Sequence, residues 1–134
     1  MKISCFDELL FAAKQQDLPQ RLLLVFATAE LPADSTPEQR RRFEEGAGGA
    51  LVPNLCVDKK PEEIANFAQL KIESEQFNTY WQVIFASTQT DDPDDIQASR
   101  VVAQALERMV TNIKSGDLAN MIAFDLHGNA LSLQ

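Results

Sequence analysis

The sequence predicts a single α/β domain in which helices pack on one β-sheet, and three observations support this fold class. Helical and strand-like segments alternate along the chain, the apolar runs have the length of strands, and no linker, repeat or low-complexity stretch divides the 134 residues. The predicted order is α-β-α-β-α-β-α-β-β over residues 1–134, a sandwich with a C-terminal β-hairpin. Because helices alternate with strands, we expect right-handed crossovers, as between parallel strands, and a sandwich of two or three layers.

The first helices and strands are predicted from capping residues and apolar patterns. Ser4 with Asp7 resembles a capping box and begins a helix over residues 4–16. The continuous apolar run at residues 21–28 predicts a strand covered on both faces. Thr36 followed by Pro37 predicts a second, short helix that ends at Gly46.

Two further strands and a helix follow. Residues 50–57 form the second predicted strand, and Pro53 within it indicates an edge or bulged position. Pro61 and the acidic residues after it predict the start of a third helix. Residues 81–86 form the third predicted strand.

The clearest helical pattern of the chain precedes the C-terminal hairpin. Its apolar positions are Ile96, Val102, Ala103, Leu106, Met109, Val110 and Ile113. Gly116 is suited to the position after the C-cap. Residues 121–124 and 130–133 then flank a turn at residues 127–129, which predicts the β-hairpin at a sheet edge.

The charge of the chain excludes two classes of partner. A net charge of −8 opposes binding to nucleic acid and to anionic membrane surfaces, and it favours a basic partner. Acidic residues flank the one basic cluster, residues 40–42, which we interpret as a solvated helix face. No apolar run reaches the roughly 20 residues of a membrane span, and acidic residues interrupt the N-terminus where a secretory signal would be apolar. We expect a soluble cytoplasmic protein.

The stock of possible metal ligands and cofactor motifs is poor. Two cysteines and one histidine favour neither structural zinc nor another metal site, and we expect both thiols to be reduced, with one long-range disulfide as the alternative. The glycines at 46, 48 and 49 follow a helix and precede a strand, the reverse of a phosphate-binding loop. The acids at 91–95 lack the spacing of a calcium loop and predict a turn before a helix. No cofactor is predicted.

Two groups of residues are candidates for chemistry. His127 beside Asp125 could form half of an acid–base pair, although a hairpin turn explains both residues better. If the first three strands are parallel, their carboxyl ends bring together Glu30, Cys56, Asp58 and Lys59, with the residues at 87–89 beside them. A thiol, an acid and an amine there could bind a small ligand or support thiol chemistry. The alternative is surface charges beside a core cysteine.

Large aromatic residues are the candidates for an interface. Phe11 lies off the apolar face of the first predicted helix, and Tyr80 with Trp81 begins a strand. Exposed aromatics of this kind can anchor protein–protein contacts, whereas a helix covered on two sides is the alternative.

Several segments are similar to a group of small bacterial proteins of unassigned function. They include Arg-Leu-Leu-Leu-Val-Phe-Ala-Thr-Ala-Glu-Leu-Pro at 21–32, and the segments 36–39, 42–46, 49–53, 56–59, 105–110 and 123–125. Some members of that group carry a ribonucleotide reductase subunit label. The reductase catalytic subunit is a far larger radical barrel with a thiyl-forming cysteine and a redox cysteine pair, so a chain with two cysteines is no autonomous reductase. The resemblance supplies no catalytic residues.

Three hypotheses of function follow. The first is a non-enzymatic protein-binding or regulatory domain that pairs with itself or another protein, because no catalytic set is recognisable. The second is a small ligand-binding protein or thiol-dependent enzyme that uses Glu30, Cys56, Asp58 and Lys59. The third is an accessory subunit of an enzyme complex.

Overall fold

The computed structural model has the predicted order of helices and strands. It describes residues 3–30, 36–44, 50–76, 81–91, 94 and 96–131. Its elements are α1 (Phe6–Lys14), β1 (Gln20–Glu30), α2 (Pro37–Glu44), β2 (Ala50–Lys59), the 3₁₀ turn Pro61–Glu63, α3 (Phe67–Glu75), β3 (Val83–Thr90), α4 (Ala98–Ser115), β4 (Ile122–Phe124) and β5 (Ala130–Leu131).

The strands of the described residues form one open sheet in the order β2-β1-β3-β4-β5, and every neighbouring pair is antiparallel. The prediction of parallel strands with crossovers is therefore wrong. The prediction that β1 is covered on both faces is confirmed: β1 is an interior strand with helices over both faces. Burial on both faces removes the alternation of polar residues whatever the strand direction.

Successive side chains of β1 enter two separate hydrophobic cores. Leu22, Leu24 and Phe26 pack with α1 and α3 on one face, whereas Leu23, Val25 and Ala27 pack with α4 on the other. The first core contains the aromatic side chains Phe6, Phe26, Phe67, Trp81 and Phe124. Three layers result, with the sheet between α1 and α3 on one side and α4 on the other.

Strand β2 lies at the edge of the sheet, as Pro53 predicts. The register with β1 shifts between Phe26 and Ala27, where Leu55 and Pro53 lie opposite. The extra residue is Asn54, and its side-chain amide donates to the Thr28 hydroxyl at 3.2 Å. The extra residue shifts the alternation of side chains between the two halves of β2. After the bulge, Cys56 and Asp58 lie opposite Val25 and Leu23, and therefore on the α4 face.

The predicted caps differ from those that form. Ser4 pairs with Glu8 rather than with Asp7, so the predicted capping box is wrong. The Asp7 carboxylate instead accepts a hydrogen bond from the backbone N–H of Phe67 at 2.9 Å, at the first residue of α3. Residue 61 begins only a 3₁₀ turn, and Asn66 caps α3 through the Gln69 N–H.

The C-terminal β-hairpin is confirmed. Phe124 lies opposite Ala130, and the Asp125 carboxylate accepts hydrogen bonds from the backbone N–H groups of His127 and Asn129 at 2.8 and 3.0 Å. Asp125 and His127 therefore build a turn. No helix among the described residues is long and apolar enough to span a membrane.

Candidate functional site

The face of β2 toward α4 is open to solvent. The side chains of Cys56 and Asp58 are exposed there. An open groove of about 460 Å³ separates Cys56 from α4, and its α4 wall consists of Leu106, Glu107, Val110 and Thr111. We call this feature the β2–α4 groove.

A cavity of about 240 Å³ lies nearer the first turn of α4, and Leu106 belongs to the walls of both the cavity and the groove. Its charged residues are Arg21 from the start of β1, Asp58 from the end of β2 and Asp91 just after β3. The rest of its wall belongs to α4: Ala98, Ser99, Val102, Ala103 and Leu106. We call it the Arg21 cavity.

Arg21 is held between two carboxylates. Its Nη1 lies 2.7 Å from Asp58 Oδ2, and its Nη2 lies 3.2 Å from Asp91 Oδ2. Partial burial disfavours the charged guanidinium, but the hydrogen bonds and charges of Asp58 and Asp91 outweigh that effect and raise the pKa of Arg21. The three residues connect β1, β2 and the end of β3 at one end of the sheet.

The predicted ligand edge is only partly assembled. Cys56 and Asp58 share the α4 face of β2, and the end of β3 lies at the same end of the sheet, since Gln89 is opposite Arg21. Glu30 is opposite Ala50, at the other end of β2. Lys59 is on the other face, where its Nζ lies 2.5 Å from Glu73 of α3. The expected convergence of all four residues is wrong, because antiparallel neighbours place their carboxyl ends at opposite edges.

Cys56 lacks the surroundings of an activated thiol. Although the side chain of Cys56 is exposed, partial desolvation by neighbouring atoms raises the pKa of its thiol, which favours the unreactive protonated form. The one histidine of the chain, His127, lies in the β4–β5 turn. With strands about 4.8 Å apart, the three intervals from β2 to β4 separate the two residues by roughly 14 Å or more. Cys5 and Cys56 are both free, so the alternative of a disulfide between them is not realised.

The three aromatic candidates for an interface have different outcomes. Phe11 is 62% exposed on α1, as its position off the apolar face predicts. Trp81 is only 3% exposed, and its Nε1 donates to the Ser74 hydroxyl at 2.8 Å. Trp81 packs edge-on against Phe26 and Phe67. It therefore belongs to the core, and its predicted role at a surface is wrong; Tyr80 lies outside the described residues.

Sequence reasoning missed the residues that complete the site. From the sequence, Arg21 is assigned only to the start of a strand and Asp91 only to a turn, and neither is predicted to bind a ligand. A cation directly before an apolar run of strand length is a usable signal, because a partly buried guanidinium needs a carboxylate partner. Asp58 and Asp91 can be identified as those partners only from the antiparallel register of the strands, and the spacing of residues along the sequence does not predict that register.

Neither a metal centre nor a known relative identifies the site. Across the described ranges, no group of three or more His, Cys, Asp or Glu side chains could hold a metal ion. No protein-family model, no curated protein and no solved structure matches the chain. The resemblance to small bacterial proteins stays a prediction, so function is argued from the geometry.

Proposed function

We propose that the protein is a non-enzymatic binding domain that accepts an extended, basic segment of another protein along β2. The observation that carries this proposal is the position of β2: it is an edge strand beside an open groove, and no described strand pairs with its outer side. An extended chain can add to such an edge as a further strand.

The backbone of β2 has hydrogen-bonding groups for an added strand. The Asp91 N–H donates to the Pro19 carbonyl at 2.8 Å, so these two residues, just beyond the strand ends, occupy a hydrogen-bonded position of the β1–β3 pair. In an antiparallel sheet every second residue of a strand points its N–H and C=O toward the same neighbour. Arg21 and every second residue after it therefore point their backbone groups toward β3. The intervening β1 residues, including Leu24, point their backbone groups toward β2, so Leu24 and its opposite residue Val57 form a hydrogen-bonded pair. By the same alternation the backbone groups of Cys56 and Asp58 point to the outer edge. The edge is therefore usable in the C-terminal half of β2.

The N-terminal half of the strand is less suitable for pairing. Pro53 has no N–H, and the bulge at Asn54 interrupts the regular spacing of backbone groups. These features restrict where an added strand can lie. We therefore place the contact beside residues 55–59 and not along the whole of β2.

The side chains of the groove indicate the chemistry of the segment. Leu106 and Val110 are half-buried and present apolar surface, while Glu107 and Asp58 add negative charge. The whole chain has a net charge of −8, which attracts a basic partner from a distance. A segment with alternating apolar and basic residues matches both properties, whereas a second copy of this chain would bring the same negative charge.

A library of random twelve-residue peptides displayed on phage tests this proposal. We expect the protein to select peptides that alternate apolar residues with Lys or Arg, and calorimetry to show about one peptide per chain. Glu107→Lys should weaken the selected peptide roughly five- to tenfold at low salt, because it replaces an attraction by a repulsion of about 1 kcal/mol in total.

The matched control is Glu75→Lys, which makes the same charge change at an exposed position of α3, on the opposite side of the sheet. It should leave binding nearly unchanged. An equal loss in both variants would show that only the overall charge matters, and would overturn the placement on β2. Failure to select any peptide, combined with dimers in sedimentation velocity, would assign the edge to a second copy.

A further inference from the structure

We propose that the Arg21 cavity is a specificity pocket for one ammonium or guanidinium group, which the docked segment supplies as a Lys or Arg side chain. The role in docking rests on the proposed function. The capacity of the cavity to bind a cation does not, since it follows from the charges and the shape of the cavity.

The charge balance of the cavity favours a cation. Arg21 contributes one positive charge, and the start of α4 contributes at most about half an elementary charge through the helix dipole. Asp58 and Asp91 contribute two negative charges and outweigh both. The cavity therefore remains negative although it contains an arginine.

An anion is disfavoured for the same reason. Arg21 and the start of α4 are the groups that would bind an anion, but the Asp58 and Asp91 carboxylates already contact Arg21 at 2.7 and 3.2 Å. An incoming anion would have to displace one of them. A cation only has to contact the exposed part of the Asp58 carboxylate, whose side chain is 38% exposed.

The shape of the cavity also fits a slender side chain. Ala98, Ser99 and Ala103 are small, so the α4 wall leaves a volume of about 240 Å³ open. Leu106 and Val102 offer apolar surface for the methylene groups of Lys or Arg, which commonly pack along such surface while their charged ends remain polar. Asp58 of β2 lies in the wall of the cavity, and Leu106 lies in the walls of both the cavity and the β2–α4 groove, so a side chain of a segment beside Asp58 can reach the cavity.

Small ions are the probes that test the cavity without a segment. We expect n-butylammonium, titrated at millimolar concentrations, to shift the backbone amide signals of Arg21, Ser99 and Val102 in ¹⁵N correlation spectra. Butyrate, of the same length and opposite charge, should leave them in place. Shifts with butyrate, or none with n-butylammonium, would overturn the inference.

Two variants locate the binding of n-butylammonium. Asp58→Asn keeps the shape but removes a negative charge, and Ala103→Met fills the cavity from an exposed helix position; each should weaken binding at least fivefold. Asp117→Asn, at an exposed position after α4, is the matched control and should have no effect. Equal weakening in Asp117→Asn would contradict the assignment.

The selected peptides separate this inference from the proposed function. If the peptides bind but tolerate norleucine in place of each Lys or Arg, the inference of a specificity pocket is wrong, and the proposed binding along β2 is unaffected. If n-butylammonium binds as expected but no peptide is selected, the cation pocket stands and the proposed function fails.

Discussion

At the scale of single residues, Arg21 explains how the sheet end is organised. Its guanidinium connects residues that are 37 and 70 positions away along the chain. Such distant partners cannot be read from local spacing. Pairs that are partly exposed contribute at most about 1 kcal/mol each, so their main consequence here is the fixed position of two carboxylates beside the groove.

The thiol of Cys56 gives the residue-scale prediction. Partial desolvation raises its pKa, so the folded protein holds the thiol proton more tightly than the unfolded chain does. The resulting stabilisation is complete below the ordinary thiol pKa of about 8.5 and is lost as the pH rises through the folded value. Urea unfolding of the wild type and of Cys56→Ser should therefore show the wild type losing stability relative to the variant between pH 7 and pH 10.

The rate of alkylation by iodoacetamide tests whether Cys56 is an activated thiol. In a Cys5→Ser background, the folded protein should react more slowly at pH 8 than the same chain unfolded in urea. A faster reaction in the folded state would indicate an activated thiol and would restore the hypothesis of a thiol-dependent enzyme.

At the scale of elements, the sequence signals for caps and turns were more informative than those for strand direction. The position of Gly116 after α4 and the turn at residues 127–129 both appear as predicted. Strand direction could not be predicted, because a helix between two strands can return the chain to either end of the sheet. The role of Asp7 was misassigned for a related reason: its partner, Phe67, is close in space and remote in sequence.

Two glycines with left-handed backbone give the element-scale prediction. Gly116 has φ of 84° and open space around it, whereas Gly128 has φ of 80° and a Cβ added there would lie 3.0 Å from the Phe67 ring. Gly116→Ala should destabilise the protein by about 1–2 kcal/mol through backbone strain alone. Gly128→Ala should cost roughly 1–3 kcal/mol more, because the ring must also move.

Urea unfolding of both glycine variants measures that difference directly. Gly116→Ala is the matched control, since it introduces the same methyl group at nearly the same φ. Equal losses in the two variants would contradict the packing of the β4–β5 turn against α3.

At the scale of the whole molecule, function follows from what the fold leaves uncovered. The core residues and the order of elements were predictable, because apolar periodicity reports burial. The groove and the cavity were not, because they arise where β2, β1, β3 and α4 meet in an antiparallel arrangement. Of the predicted site residues, Cys56 and Asp58 belong to the proposed surface, while Glu30 and Lys59 lie elsewhere.

The measurement that tests the binding edge most directly is backbone amide hydrogen exchange at residues 56–58, with and without a selected peptide. In the free protein we predict fast exchange at Cys56 and Asp58, whose N–H groups point outward, and slow exchange at Val57, which pairs with β1. Bound peptide should slow exchange at Cys56 and Asp58 and leave Val57 unchanged. Fast exchange at both residues in the complex would contradict the addition of a strand to β2.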